Sequence, residues 1–238
     1  MTDRFLPHVD GSDSKYGGMQ LLPEYKKKLE PKFLEFYHKR FNNNRMVYLH
    51  WSAGPRGVNF LDYHRMIMMR PGRAVSQVNK DCNIDMYAHT YGRNRNSCAV
   101  SLAGFFKATT QDLGEEVATK EQLRLLVAEL SEICCNLNIP VSSLMSHAEA
   151  ADNVDQGPNP PYPTPHLSGA NAEPYGPLSG KWERWDLHVM IDKKTLELHP
   201  PYSNKVLRPS GNLVSLMDWV RGETVLRVQD ATYKYWGK

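Results

Sequence analysis

With 238 residues, 41% of them hydrophobic and 23% charged, the chain is long enough to bury one sizeable core, and one domain with extensions is the simplest division. Its formal net charge of +3 comes from 29 basic and 26 acidic side chains that are spread rather than blocked. That pattern argues against a dedicated nucleic-acid surface and permits a mildly anionic partner.

The amino-terminal stretch has no apolar segment of signal type, and no later stretch reaches transmembrane length, so neither membrane insertion nor export by the usual signal is expected. Cys82, Cys98, Cys134 and Cys135 show no CxxC pairing, and the last two are adjacent in a helical pattern, where neighbours point in different directions. A disulfide framework is therefore not expected, and synthesis in a reducing cytoplasm is.

Residues 1–44 read as a polar arm followed by two short helices that meet at Pro31, offering Phe33, Leu34, Phe36 and Tyr37 as a capping face. His38 falls on the exposed side of that pattern. Residues 45–238 read as the main domain. It opens with Met46-Val47-Tyr48-Leu49-His50-Trp51, a strand buried on both faces that runs into a Ser-Ala-Gly-Pro turn. Asp62 to Met69 and Arg73 to Val78 flank Arg70-Pro71-Gly72 as a hairpin, with a helix the alternative for the first half. A Gly/Asn-rich loop then leads into another buried strand, Ser97 to Leu102.

Lys120 to Leu137 is the clearest helix. Thr119 and Gln122 form a capping box, and Leu123, Leu126, Val127, Leu130, Ile133, Cys134 and Leu137 recur at helical spacing. Residues 139–147 read as a return to the sheet edge ending in His147. Residues 151–180 hold seven of the chain's 16 prolines and form a long loop. Trp185, Leu187, Val189 and Ile191 alternate with Asp186, His188 and Met190 as a strand would. A short helix is predicted from Leu213 to Arg221 and a strand from Thr224 to Val228.

These elements predict an α/β fold, a mixed central sheet flanked by helices, with potential metal ligands His50, His147 and Asp186 at one end of the strands. Two imidazoles and a carboxylate leave one tetrahedral position of a zinc ion open for water, which is a hydrolytic arrangement.

The order YLHWSAG, DYHRMI then PGR, AHTYGRNRNSCAVSLAG, TKEQLRLL, NIP, MSH and RWD, over about residues 45 to 221, resembles the zinc-dependent N-acetylmuramoyl-L-alanine amidases, whose fold is shared with peptidoglycan recognition proteins and several phage lysozymes. The resemblance implies Zn²⁺ held by His50, His147 and Asp186. It further implies peptidoglycan or muropeptides as partner and hydrolysis of the amide between N-acetylmuramic acid and L-alanine by a monomer. Tyr63 and Arg184 would stabilise the oxyanion, and His89 and Asn94 would line the substrate groove. Lys181 and Trp182, with Tyr162 and Tyr175, would stand at its rim. A phage-type endolysin released by a holin or another non-Sec route is the expected context. A cytoplasmic muropeptide-recycling amidase and a non-catalytic recognition module are the alternatives.

Three departures qualify that likeness. Leu187-His188 follows Asp186 where Pro-Gly is usual, which leaves His188 as the alternative third ligand. Arg184 replaces the usual lysine and cannot deliver a proton. Ser101 stands where many relatives carry a catalytic glutamate. Glu149, two residues past His147, is either a group within reach of the bound water or an exposed carboxylate.

Overall fold

The computed structural model describes residues 21–85, 89–90, 94–108, 112–152, 186–187, 189–200 and 211–236. Two short helices come first, α1 (Pro23–Lys26) and α2 (Pro31–Arg40). Pro31 starts α2 rather than kinking a longer helix, because proline's missing N–H costs nothing in a first turn. Phe33, Tyr37 and Phe41 are buried in the main core, with the Tyr37 and Phe41 rings stacked 4.6 Å apart. His38 is exposed, as expected.

Among the described residues the main sheet has five strands: β1 (Met46–Trp51), β2 (Arg65–Arg70), β3 (Arg73–Val78), β4 (Ser97–Leu102) and β5 (Leu144–Ser146). Their order is β3-β2-β4-β1-β5. β2 and β3 are the expected hairpin, joined by Pro71-Gly72 and antiparallel. The β2–β4, β4–β1 and β1–β5 pairs are parallel, so the sheet is mixed. β1 and β4 are buried at every position, His50, Ser97 and Ser101 included, as befits largely apolar strands covered on both faces.

Strand parity separates those faces. Val47, Leu49 and Trp51 on β1, with Cys98, Val100 and Leu102 on β4, enter the main core. Met46 and Tyr48 lie on the opposite face with Met145 of β5, and His50, two residues after Tyr48, follows them there.

The main-core face is covered by helix α3 (Lys120–Leu137), whose boundaries and capping box match the sequence reading. Thr119 Oγ1 accepts from Gln122 N–H, and the Gln122 side chain accepts from Thr119 N–H. The Gln122 amide also donates to the Ile67 and Ala103 carbonyls, pinning α3 to β2 and to the chain just past β4. A 3₁₀ turn (Val141–Ser143) leads into β5, and α4 (His147–Asp152) follows it directly.

Two sequence expectations are corrected in the last third of the chain. The strand expected across 185–191 is a turn at Asp186-Leu187, with Leu187 at φ 60°, before a short strand β6 (Met190–Asp192). β6 pairs with β7 (Leu198–His199) and β8 (Leu213–Ser215) in a separate antiparallel sheet. Both polar groups of Asp186 bond to other elements, which holds the chain off a ladder. The helix and strand expected at the end are instead β8 followed by one long helix, α5 (Leu216–Trp236). Met217, Val220, Val225 and Val228 are buried at helical spacing, so packing against α3 overrides the β-branched character of Thr224 to Val228. Gly222 lets α1 approach α5, since a Cβ there would lie 2.3 Å from the Tyr25 ring.

The expectation of no disulfide is also corrected. Cys82 and Cys98 are bonded, with Cα atoms 4.9 Å apart. After β3 the chain turns back across the start of β4: Asn79 and Lys80 donate to the His64 carbonyl, and Arg45 joins Asp85 to the Ser97 carbonyl. That path sets Cys82 beside the second residue of β4. The adjacency argument holds only for Cys134 and Cys135, which are free thiols. Among the described residues no helix is long and apolar enough to cross a membrane.

Candidate metal centre

The parallel ladder assembles the first two ligands. Leu49 pairs with Ser146, so the next residues, His50 on β1 and His147 at the start of α4, stand side by side at the carboxyl ends of neighbouring strands. Their ring centroids are 4.7 Å apart. This is the end of a parallel sheet where ligand sites collect.

Asp186 lies 39 residues after His147 in the sequence. Ser52 N–H donates to Leu102 on β4, so Trp51 N–H points to the other side of β1, where β5 has already ended. Asp186 Oδ1 accepts from it at 2.7 Å, and the Asp186 carbonyl accepts from Ala148 N–H at 3.1 Å. Anchored so, Asp186 turns Oδ2 toward both imidazoles, 2.9 Å from His50 Nδ1 and 2.9 Å from His147 Nδ1.

His50, His147 and Asp186 are all buried, and one ligand atom from each lies within 4.8 Å of the others. The group can hold a metal ion. Its donors suit a divalent cation: the carboxylate brings a charge that burial alone would disfavour, and two imidazoles complete three of four tetrahedral positions. Burial pushes the Asp186 carboxyl up, but the charge of His50 and the hydrogen bonds from His147 and His50 outweigh it and hold the group below the usual carboxylate range.

Tyr63, just before β2, is half-buried with its ring 5.2 Å from that of His50. Burial, then the Asp186 charge, raises its phenol well above tyrosine's usual range, with the Ser101 hydroxyl offsetting part of this. Ser101 is His50's register partner on β4 and is fully buried. His64 is structural: Nδ1 accepts from Ala99 N–H at 3.0 Å, and Nε2–H donates to the Ile84 carbonyl.

His89 and Asn94, the residues expected along a substrate groove, take part in a hydrogen-bonded cluster that reaches His50 through Thr90. Asn94 Oδ1 accepts from the His89 and Thr90 N–H groups at 3.0 and 2.8 Å. Thr90 Oγ1 lies 3.2 Å from His50 Nε2 and 3.0 Å from His89 Nδ1, and His89 Nε2 lies 3.2 Å from Ser97 Oγ. Burial, then the neighbouring imidazoles His50, His64 and His147, pushes His89 down to about 2. Arg184, Lys181, Trp182, Tyr162, Tyr175 and His188 lie outside the described residues.

Glu149 has a structural task. Its N–H donates to Ser146 Oγ and its carboxylate accepts from Ser146 N–H, both at 3.0 Å, a capping box that starts α4 at His147. The same carboxylate pairs with Arg221 of α5, which is fully buried and also bonds Asp218 and the Leu144 carbonyl. This network ties α5 to both sides of His147. Ser146, Thr90 and Arg221 escaped the sequence reading. The Ser-x-x-Glu spacing could have revealed the first, whereas Thr90 and Arg221 carry no local signal.

No protein-family model matches this chain, and no curated protein does.

Proposed function

We propose that the chain is a zinc-dependent hydrolase of the N-acetylmuramoyl-L-alanine amidase type. Its substrate is the amide that joins the lactyl group of N-acetylmuramic acid to the L-alanine of the stem peptide in peptidoglycan or muropeptides. The observation that carries this reading is the convergence of His50 Nδ1, His147 Nδ1 and Asp186 Oδ2 from three separate elements at one end of the parallel strands. The ordered likeness to the amidases, from YLHWSAG to RWD, supplies the substrate class.

Bound zinc would supply Lewis acidity, polarising a carbonyl and lowering the pKa of water to about 7. His50, His147 and Asp186 would hold it. Tyr63 retains its phenolic proton across the physiological range, because both burial and Asp186 disfavour the phenolate. It can therefore donate a hydrogen bond to the oxygen on which negative charge develops. Arg184 is assigned the same electrostatic task, with no role as a proton donor. Ser101 offers no carboxylate beside His50, so general-base catalysis by that strand position is not part of the reaction. In the cell the wall would be reached as an endolysin reaches it.

The test is mass spectrometry of purified peptidoglycan incubated with the zinc-loaded protein, with a chelated control. Stem peptides bearing a free L-alanine amine, lost on chelation, are expected. Binding of the wall without release of peptide under any metal condition would contradict the enzyme and point to a recognition module.

A further inference from the structure

We propose that the chain Ser97, His89, Thr90 fixes which nitrogen His50 presents to a cation, making Thr90 and His89 positioning residues of the metal centre. The inference rests on the metal-site reading above and adds what sets that ligand's orientation.

The direction of every bond follows from one end. Ser97 Oγ lies 2.8 Å from the Asn94 carbonyl oxygen, which can only accept, so the single Ser97 hydroxyl proton is committed there. His89 Nε2, 3.2 Å from that same Oγ, must then be the donor. Neutral in its buried place, His89 carries one N–H, so its Nδ1 is an acceptor and receives the Thr90 hydroxyl proton over 3.0 Å. Thr90 Oγ1 has now given its only proton, and across 3.2 Å it accepts from His50 Nε2–H.

His50 thereby keeps a proton on Nε2, which leaves Nδ1, 2.9 Å from Asp186 Oδ2, as the nitrogen that can give up its proton to a cation. Without a cation Nδ1–H donates to that carboxylate; a bound cation takes the proton's place between the two atoms. The relay therefore prepares His50 to bind through Nδ1 and opposes rotation of the ring to present Nε2. Hydrogen bonds of this outer kind orient ligand imidazoles generally, and their loss costs roughly 10–100-fold in metal affinity.

The test compares the wild type with Thr90→Val, which keeps the shape and removes the hydroxyl, and Thr90→Ser, which keeps it. Zinc affinity is measured by chelator competition, and the His50 ring is read by long-range ¹H–¹⁵N spectra of the zinc-loaded protein. The expected result is a protonated Nε2 with zinc on Nδ1 in the wild type. Affinity should fall roughly 10–100-fold in Thr90→Val and stay near wild type in Thr90→Ser. Unchanged affinity in a folded Thr90→Val, or coordination of His50 through Nε2, would overturn the relay. If Thr90→Val does not fold, the wild-type spectrum decides alone. A wild-type protein that takes up no zinc would instead contradict the metal-site reading itself.

Discussion

Leu49 and Ser146 are register partners on neighbouring parallel strands, and that pairing places the residues after them, His50 and His147, in contact at the end of the sheet. The centre is thus a consequence of strand register: a slip by one residue would send His50 into the apolar core. Asp186 needs no strand of its own, because the Trp51 N–H left bare by the end of β5 captures it.

Asp186→Asn retains an oxygen for the Trp51 N–H while removing the negative charge between the imidazoles. Zinc affinity should fall by more than the roughly 10–100-fold typical of an outer-layer change, with the fold preserved. Isothermal titration with zinc checks this, and undiminished affinity would remove Asp186 from the ligand set.

Tyr63→Phe removes a single hydroxyl beside His50. If that hydroxyl stabilises developing charge, turnover should drop about 10²-fold, the scale seen when one oxyanion donor is deleted, with zinc content unchanged. Equal turnover in the variant would make Tyr63 a packing residue.

Arg221→Met takes the guanidinium away from Glu149 and Asp218 beneath His147. Breaking a buried pair by removing one partner costs about 3–5 kcal/mol, and the lower end applies because both carboxylates keep some exposure. At roughly 2–4 °C per kcal/mol for a chain of this size, Tm should fall by about 6–12 °C. A shift under about 2 °C, within one such increment, would show that the network carries little stability.

Acid should destabilise the metal-free protein. Burial lowers the pKa of His64, whose Nδ1 already accepts from Ala99 N–H, and His89 shifts the same way. Below about 6.5 the unfolded chain therefore binds protons that the folded chain refuses, so stability present at neutral pH is lost as pH falls. Each such histidine contributes a slope of up to about 1.4 kcal/mol per pH unit. Urea unfolding between pH 7.5 and 5 in the presence of chelator measures it; stability that is flat or rising on acidification would contradict the neutral, buried assignment.

Local chemistry explains what was legible in the chain. The Thr119–Gln122 capping box, the Pro71-Gly72 turn and the apolar runs of β1 and β4 each act within a few residues, and each stands where the sequence places it. His50 and His147 could be read as strand-end residues for the same reason. What could not be read depends on distant partners. The segment Thr224 to Val228 looks like a strand until α3 offers a surface for a helix. Asp186 looks like a strand residue until Trp51 and Ala148 claim its oxygens. Cys82 meets Cys98 only because the segment after β3 folds back over β4, and His89 reaches His50 only through the Thr90 hydroxyl, which has no sequence signature.

The most direct measurement is a crystal structure of the zinc-soaked protein with anomalous data collected across the zinc edge. The expected result is one strong peak within about 2.0–2.2 Å of His50 Nδ1, His147 Nδ1 and Asp186 Oδ2, with a fourth position open to solvent. Zinc bound elsewhere, or a peak that excludes Asp186, would contradict the site on which the proposed hydrolysis depends.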